Sequence, residues 1–345
     1  MSTLSEVYRD NPLHPQHIIP LDFESAHTVP ESHIWPETND FQHSGWSNGE
    51  LSIPVIDLMD PNVVEHIGHA CETWGMFQVI GHGVCLSLLE EVEAEARRLF
   101  ELPARQKMKA LRSPGGATGY GTARITPFFS KNMWHEGFTI MGSCVDHAKE
   151  LWPRNYKRFC DTMVEYQKKM KALAYQLWLL VLKSLDIQEK DVTWAASLQH
   201  SEAALQLNSY PCCPDPDRVL GLAPHTDTLL LTIVHQSDSN GLQVFKDGVL
   251  GWVSVSPIAG ALVVNVGDLL HIVSNARFLT AYHRVVANQA CHRVSIAYFY
   301  GPPAESELVP ILPKLQAPCY RSLTVKEYVS VKAKHLEKAL SLIRI

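Results

Sequence analysis

The sequence predicts a mainly β protein of the α+β class, in which a helical N-terminal region precedes a jelly-roll core and a helix closes the chain. From about residue 203 onward, short apolar or alternating runs follow one another, separated by Gly, Asp, Asn and Pro. Roughly eight turn-bounded runs of this kind are typical of a β-sandwich or barrel. Before them, apolar residues recur at alternating spacings of four and three over 154–185, which predicts one long helix.

The N-terminal half combines short strands with helices. Residues 1–50 are rich in Pro, His, Ser and Asn, and we expect an extended arm with little structure of its own. The run at 52–58 predicts a strand, and the Asp-Pro pair at 60–61 resembles the start of a helix. GMFQVIGHG (75–83) predicts a second strand, and CLSLLEEVEAEARRLFELP an amphipathic helix that ends near Pro103.

The long helix at 154–185 precedes the predicted jelly-roll. A coiled coil is an alternative interpretation of this helix, but so few heptads favour a helix packed on a sheet. The last helix is predicted at 322–340. The strands are expected in the runs AALQLNSY, LLLTIVHQ, GLQVFKDG, GWVSVSP, ALVVNVGD, LLHIVS, AYHRVVANQ and RVSIAYFYGP. The predicted regions are an arm (1–50), a helical N-terminal region (51–195), the jelly-roll core (196–303) and a C-terminal helical segment (304–345).

Composition and charge restrict the class of partner. The chain has 345 residues, 46% of them hydrophobic, and a formal net charge of −6. This balance argues against nucleic acid or an anionic membrane as a partner. The N-terminus has no apolar signal region, and no apolar stretch approaches the length of a membrane span. The eight cysteines are scattered without metal-site spacing, so we expect reduced thiols, as in a cytoplasmic protein. We also expect a monomer.

The segment LAPHTDTLLLT (222–232) suggests a metal site. It places His225 and Asp227 before an apolar run. If they lie on a strand, alternate side chains share a face, and only a bound partner would compensate for burying both. His283 follows in an alternating stretch that a jelly-roll can bring alongside. Two histidines and a carboxylate on one face predict a non-haem Fe(II) site with open positions. The alternative for any one histidine is a structural role.

A second group of residues suits an anion. Arg293 and Ser295 alternate in CHRVSIAYF, ten residues beyond His283, and therefore share one face of a strand. A buried guanidinium is costly unless it meets an anion, and arginine is suited to bidentate pairing with a carboxylate. Asn208 and Tyr210 alternate in LQLNSYPCCPDPD. Both are able to donate hydrogen bonds to a bound acid.

These motifs together resemble the plant 2-oxoglutarate- and Fe(II)-dependent dioxygenases. His225-Thr-Asp227, His283 and Arg293-Val-Ser295 match the two functional signatures of that family in order and spacing, and NSYPCCPDP matches its Asn-x-Tyr-Pro segment. The resemblance covers about 50–303 and implies a double-stranded β-helix. Segments such as GYGTARI, MWHEGFTI, GLAPHTDT and VVNVGDLLHI are similar to the gibberellin 3-oxidase branch. In SNARFLTAYHR, Ala276 and Leu279 stand where relatives usually carry glycine and a basic residue.

The resemblance implies a reaction and a division of roles. Fe(II) would be held by His225, Asp227 and His283, and 2-oxoglutarate by Arg293 and Ser295 with help from Asn208 and Tyr210. O2 would be the second co-substrate, and ascorbate would keep the iron reduced. The substrate would be a rigid diterpenoid acid, hydroxylated at C-3, with succinate and CO2 as by-products. An apolar pocket with one basic anchor suits such a ligand, and the candidates are Arg124, Phe128, Phe129, Met133, Trp134 and Phe138.

Two other functions remain open at this point. A sister dioxygenase, such as a gibberellin 2- or 20-oxidase or a flavonoid oxygenase, would share every motif named above and differ in the product formed. A jelly-roll that binds metal without turnover would keep the three ligands but would have no need of the Arg-x-Ser pair. The presence of Arg293 and Ser295 therefore favours an enzyme.

Overall fold

The structure is a computed structural model that describes residues 4–36, 51–201, 203–247, 251–311 and 317–345. Its helices are α1 (Leu4–Asp10), α2 (Val63–Thr73), α3 (Leu86–Phe100), α4 (Ala104–Lys107), α5 (Val145–Leu151), α6 (Tyr156–Ser184), α7 (Asp268–Val273), α8 (Val325–His335) and α9 (Ala339–Leu342). Its strands are β1 (Val55–Asp57), β2 (Met76–Ile80), β3 (Gly119–Gly121), β4 (Glu136–Met141), β5 (Ala204–Tyr210), β6 (Leu220–His225), β7 (Leu231–Gln236), β8 (Leu242–Lys246), β9 (Gly251–Ser254), β10 (Leu262–Val266), β11 (His283–Val286), β12 (Arg293–Tyr300), β13 (Glu307–Leu308) and β14 (Leu323–Thr324).

Two sheets enclose the functional part of the molecule. The major sheet has the order β1-β2-β10-β7-β12-β5-β4-β3, and the minor sheet has the order β6-β11-β8-β9. Apart from the parallel pair of β1 and β2, neighbouring strands in both sheets are antiparallel. This arrangement confirms the predicted jelly-roll. Strands β3 and β4, which the sequence did not predict, extend the major sheet beside β5.

Helix α6 supplies much of the core on one face of the major sheet. Its apolar residues at spacings of four and three are buried and contact β7 and β12, together with α2 and α3. Full burial of each large apolar side chain contributes about 1.5–3 kcal/mol to stability. The helix-on-sheet prediction is therefore confirmed. The buried residues of this seam include Phe159, Met163, Tyr166, Met170, Leu173 and Leu177.

Two local predictions were wrong. The run LLHIVS forms helix α7 rather than a strand, because four of its apolar side chains are buried at helical spacing after Gly267. A short apolar run does not by itself distinguish a buried strand from a buried helix. The N-terminal arm was predicted to be extended with little structure of its own, yet α1 forms there and buries Leu4 and Val7. Residues 37–50 of the arm lie outside the described residues.

Two global expectations can be compared with the structure. Of the helices in the described ranges, none has the length and apolarity needed to cross a bilayer. All eight cysteines are free thiols, as expected from their scattered positions. The Sγ atoms of Cys144 and Cys160 lie 3.7 Å apart and both are buried.

Candidate active site

The three predicted metal ligands meet at one end of the minor sheet. His225 is the last residue of β6 and His283 is the first residue of β11, and the two are directly paired across the antiparallel ladder. Asp227 follows two residues after β6 ends. One ligand atom from each of the three side chains lies within 4.8 Å of the other two, and all three side chains are nearly or fully buried.

The structural reason given for this grouping was partly wrong. The segment 222–232 is not one strand, because β6 ends at His225 and β7 begins at Leu231. Asp227 therefore does not share a strand face with His225. Instead, the turn between the two strands directs its carboxylate back toward the histidines, and Oδ1 lies 3.8 Å from Nε2 of His225.

Hydrogen bonds set which atom of each ligand is available. Nδ1 of His225 lies 2.8 Å from the carbonyl oxygen of Ala223, and Nδ1 of His283 lies 3.0 Å from that of Ala281. Only a protonated Nδ1 can donate to a carbonyl, so Nε2 of both rings keeps its lone pair for a metal ion. These contacts fix the ring orientations as outer-shell partners commonly do in metal sites.

Asn265 orients the third ligand and was missed by the sequence analysis. Its Nδ2 donates to Oδ2 of Asp227 at 3.0 Å, which leaves Oδ1 of Asp227 free beside the histidines. The signal was present, because Asn265 is the one polar residue in the valine-rich strand β10. Its partner could not be predicted, since the contact depends on how β10 lies relative to the turn after β6.

The electrostatics of the three side chains are those of a cation site. Burial and the neighbouring His283 lower the pKa of His225 to about 3, so the ring is neutral at physiological pH. Burial alone would raise the pKa of Asp227, but the two imidazoles and the hydrogen bond from Asn265 outweigh it and lower the pKa below its usual value. Two imidazoles and one carboxylate are the ligand set that non-haem Fe(II) uses.

A buried ion pair between Lys332 and Asp268 packs against the turn between β6 and β7 (226–230), here called the metal-binding turn. The backbone N–H of Asp268 donates to the carbonyl oxygen of Asp227 at 2.8 Å. The Asp268 carboxylate accepts from Lys332 Nζ at 2.5 Å and from the Tyr328 hydroxyl at 2.7 Å. Lys332 also donates to the Thr226 hydroxyl at 2.5 Å, so α8 is tied directly to the turn.

Gly267 is required for the close packing of this turn. A Cβ atom at that position would lie 2.0 Å from the carbonyl oxygen of Leu229 and 3.1 Å from that of Asp227. Neither carbonyl is a flexible side-chain atom that could move away. The Gly-Asp pair that begins α7 therefore allows α7 to approach the metal-binding turn.

The predicted anion-binding residues lie together on β5 and β12. The pairing of these strands places Arg293 opposite Tyr210 and Ser295 opposite Asn208. Arg293 is only 2% exposed, and its Nη2 donates to Gln236 Oε1 at 2.9 Å. Its Nε and Nη1 have no hydrogen-bond partner among the described residues. Burial lowers the pKa of Arg293, with Tyr210 opposing that shift.

A cavity of about 640 Å³ connects these two groups. Residues of both sheets line it, including all three predicted metal ligands and the four predicted anion-binding residues. The N-terminal segment and α8 also contribute to its wall. The unpaired nitrogen atoms of Arg293 thus belong to a site that is large enough for a small dicarboxylate and a larger organic molecule.

The six predicted substrate residues do not all reach the cavity. Arg124 and Phe128 line it, but four others do not, which corrects the prediction. Phe138 packs against Phe159 in the main core, and Trp134 packs against Phe23 in a separate cluster. Phe138 faces the opposite side of β4 from Thr139, which lines the cavity. Met133 packs against Leu220 and Ala223, and Phe129 against Trp35.

Comparison with known proteins identifies the family. The profile of the 2OG-Fe(II) oxygenase superfamily matches residues 201–302, and that of the non-haem dioxygenase in morphine synthesis N-terminal region matches residues 53–157. Gibberellin 3-beta-dioxygenase 1 of Pisum sativum is 50% identical over 100% of this chain and 94% of its own length. The chain belongs to the gibberellin 3-beta-dioxygenase family. The Arabidopsis thaliana member gibberellin 3-beta-dioxygenase 1 is 47% identical over 99% of this chain and 98% of its own.

Solved structures of related oxygenases agree with the family assignment. JOX2, crystallised in complex with 2OG, Fe and JA, is 26% identical with a TM-score of 0.79 and covers 93% of this chain and 95% of its own. The dioxygenase for auxin oxidation in rice is 27% identical with a TM-score of 0.71 and covers 85% of this chain and 100% of its own. This chain thus agrees with the 2OG-Fe(II) oxygenases in fold as well as in sequence.

The residues of this chain fit the groups that the family uses. His225, Asp227 and His283 present the ligand atoms for Fe(II), and the unpaired Nε and Nη1 of Arg293 fit a carboxylate of 2-oxoglutarate. The chain is therefore an Fe(II)- and 2-oxoglutarate-dependent dioxygenase. Neither Ala276 nor Leu279 lines the cavity. Ala276 instead adopts φ of 65° at the end of α7, a conformation that favours glycine and costs alanine about 1 kcal/mol.

Proposed function

We propose that this protein hydroxylates a gibberellin precursor at C-3, on the β face, and thereby produces the bioactive hormone with succinate and CO2. The observation that carries the proposal is the similarity to gibberellin 3-beta-dioxygenases at 41–50% identity over 93–100% of the chain. The cavity supports it, because most of its wall is apolar and suits a rigid diterpenoid.

The residues of the chain divide the work of the reaction. His225, Asp227 and His283 hold Fe(II), which when bound with 2-oxoglutarate and O2 supplies the oxidising power. Arg293 and Ser295 orient 2-oxoglutarate, with Tyr210 and Asn208 beside them. The apolar walls exclude water from the reacting atoms and hold the substrate carbon near the metal. Placement within about 1 Å decides which carbon is oxidised, because a misplacement of that size costs ~10²-fold in rate.

The proposal is tested by the products formed from a panel of gibberellins. The purified protein is incubated with Fe(II), 2-oxoglutarate and ascorbate, and the products are identified by mass spectrometry against authentic standards. The proposal requires a 3β-hydroxylated product with stoichiometric succinate. Oxidation at C-2 or C-20 would assign the protein to a sister activity, and turnover of flavonoids alone would reject gibberellin as the substrate. Metal binding without succinate release would indicate a binding protein.

Arg124 is the proposed anchor for the substrate carboxylate. Its guanidinium lines the cavity, lies 3.8 Å above the ring of Tyr8 and donates to the carbonyl oxygen of Gly116. Its Nε is buried without a partner, and no carboxylate among the described residues forms an ion pair with it. Burial lowers the pKa of Arg124. A substrate anion would compensate for this partly buried charge, which has no ion-pair partner among the described residues.

The anchor is tested with Arg124→Met, which keeps much of the bulk and removes the charge. We expect slower C-3 hydroxylation, a wider range of oxidation products and loss of the preference for the free acid over its methyl ester. Lys131→Met is the matched control, because Lys131 bonds to the carbonyl of Glu31 and does not line the cavity. If Arg124→Met retains both the rate and the preference of the wild type, Arg124 is not the anchor.

We further propose three properties of the working enzyme. Ascorbate sustains turnover by keeping the iron reduced. The enzyme acts in the cytoplasm, which its eight free thiols support, since disulfides form mainly in oxidising compartments. It acts as a monomer, which is supported by the fact that one chain supplies all of the ligand and anion-binding residues named above.

A further inference from the structure

His135 lies behind the anion-binding residues and has no role in the activity described so far. It immediately precedes β4, is 1% exposed and does not line the cavity. Its Nε2 lies 3.0 Å from Oδ1 of Asn208, and its ring packs against that of Tyr210 with centroids 5.2 Å apart. The histidine therefore contacts two neighbouring cavity residues from the side that faces away from any ligand.

The hydrogen bond between His135 and Asn208 has a fixed direction. Burial lowers the pKa of His135 to about 4, so the ring is neutral and carries one N–H. Nδ1 has no partner among the described residues. A buried N–H without an acceptor is costly, so the proton resides on Nε2 and is donated to the Asn208 oxygen.

This direction determines how Asn208 faces the cavity. With its oxygen held by His135, the amide nitrogen of Asn208 points toward Ser295, whose Oγ lies 3.4 Å away. An amide nitrogen has two N–H groups, so a second donor remains for an anion held by Arg293 and Ser295. The opposite orientation would present a carbonyl oxygen to that anion, and the two would repel each other.

We propose that His135 is a positioning residue that fixes the carboxamide of Asn208 and so presents an N–H donor to the bound co-substrate. The inference rests on the proposed function only in taking 2-oxoglutarate as the occupant of this end of the cavity. It does not depend on which carbon of which substrate is hydroxylated.

The test measures binding of 2-oxoglutarate by calorimetry to protein loaded with Mn(II) in the absence of oxygen and gibberellin. His135→Phe keeps a buried ring and removes the donor. Loss of one hydrogen bond predicts a Kd for 2-oxoglutarate about five- to tenfold higher. His135→Gln keeps an N–H donor and should bind within about twofold of the wild type. Asn208→Asp keeps the acceptor for His135 but replaces the donor with an oxygen, and should weaken binding at least as much as His135→Phe.

His292→Phe is the control for the loss of a histidine that hydrogen-bonds to β5, although His292 is only partly buried. Its Nε2 bonds at 2.9 Å to the hydroxyl of Ser209, which faces the opposite side of β5 from Asn208. The same substitution there should leave the Kd for 2-oxoglutarate unchanged. Circular dichroism and thermal unfolding of each variant establish that it is folded.

A double-mutant comparison separates positioning from packing. If His135 acts through Asn208, then His135→Phe should add no further weakening to the Asn208→Ala protein. An unchanged Kd in His135→Phe, an equal loss in the Asn208→Ala background, or wild-type binding by Asn208→Asp would each overturn the proposal. The binding measurement contains no gibberellin. Its outcome is therefore independent of the product analysis that tests C-3 hydroxylation.

Discussion

Arg293 illustrates how a single residue can report an absent ligand. It is among the largest fully buried side chains. Its Nη2 donates to Gln236, whereas Nε and Nη1 lack a partner among the described residues. Gly241 leaves room for it, since a Cβ atom at that position would lie 3.0 Å from Cδ of Arg293. Burying a cation with two unused hydrogen-bond donors is costly unless an anion pairs with it and accepts those hydrogen bonds.

Replacing Arg293 should therefore affect 2-oxoglutarate far more than gibberellin. Two charge-assisted hydrogen bonds contribute about 3 kcal/mol, so Arg293→Ala should raise the KM for 2-oxoglutarate by about 10²-fold. Steady-state kinetics with each co-substrate varied in turn measures the effect. Arg293→Lys keeps the charge but loses the planar guanidinium. Its KM for 2-oxoglutarate should therefore lie between those of the wild type and Arg293→Ala. A KM that changes only for gibberellin would refute the assignment.

Asn265 should affect the metal rather than the organic ligands. Its amide donates to Oδ2 of Asp227. In Asn265→Leu the Asp227 carboxylate is therefore free to rotate and is no longer oriented toward the histidines. Loss of such an outer-shell partner lowers metal affinity by about 10–100-fold. Titration with Mn(II) followed by calorimetry measures this change. Gln78→Leu is the control, because Gln78 is a buried amide on the neighbouring strand β2 that donates to Ser256 instead. Equal metal affinities in the two variants would contradict the prediction.

Among the secondary-structure elements, the minor sheet and the turn after β6 define the metal site. The sequence pointed to His225, Asp227 and His283, which the structure brings together, because their chemistry is unusual in an apolar segment. It did not allow the turn at Asp227 to be predicted, since an alternating His-x-Asp pattern is also compatible with a strand. Arg293 and Ser295 were placed correctly because they lie within β12, where alternation holds without interruption.

Contacts between elements distant in sequence could not be predicted. His135 lies 73 residues before Asn208, and only the pairing of β4 with β5 brings them together. The apolar run that forms α7 was misassigned, because buried helices and buried strands have similar composition over six residues. Phe138 was assigned to the cavity as an aromatic residue in a segment that resembles the family, whereas the side of β4 that it faces depends on strand register.

Helix α8 should stabilise the metal-binding turn through Lys332. Lys332→Met leaves the fully buried Asp268 without its cation, which typically costs about 3–5 kcal/mol. Urea unfolding of the metal-free protein measures this loss. The double substitution Lys332→Met with Asp268→Asn removes both charges and should recover much of the stability. If Lys332→Met is as stable as the wild type, or the double variant is no better than the single one, the ion pair does not hold the turn.

At the scale of the whole molecule, the two ends of the chain meet around one cavity. Helix α1 contacts α8. The cavity wall includes Leu4 and Tyr8 from α1 and Val329 from α8. The co-substrate end of the cavity is formed by β5 and β12, which lie near the centre of the major sheet. The proposed metal and anion-binding residues thus lie on the two sheets and in the turn after β6, while the two ends of the chain contribute to the rest of the cavity wall.

The same burial that positions His135 should make the folded protein sensitive to acid. In the unfolded chain its pKa is about 6.5, whereas burial lowers the pKa to about 4 in the folded protein. Above pH ~6.5 both states are neutral at this ring, and stability does not depend on its protonation. As the pH falls toward ~4, only the unfolded state takes up the proton, so stability is lost across that window.

We expect this single histidine to cost about 1 kcal/mol of unfolding free energy between about pH 7 and about pH 5.5. Urea unfolding of the wild type and of His135→Gln at both pH values measures it, because glutamine does not titrate. The advantage of the wild type over the variant should shrink by that amount on acidification. The pKa of His292, lowered to about 4 by burial and by Arg97 and Lys107, acts in the same direction but is present in both proteins and cancels. Parallel losses of stability in the two proteins would show that His135 takes up its proton equally in the folded and unfolded states, contrary to its burial.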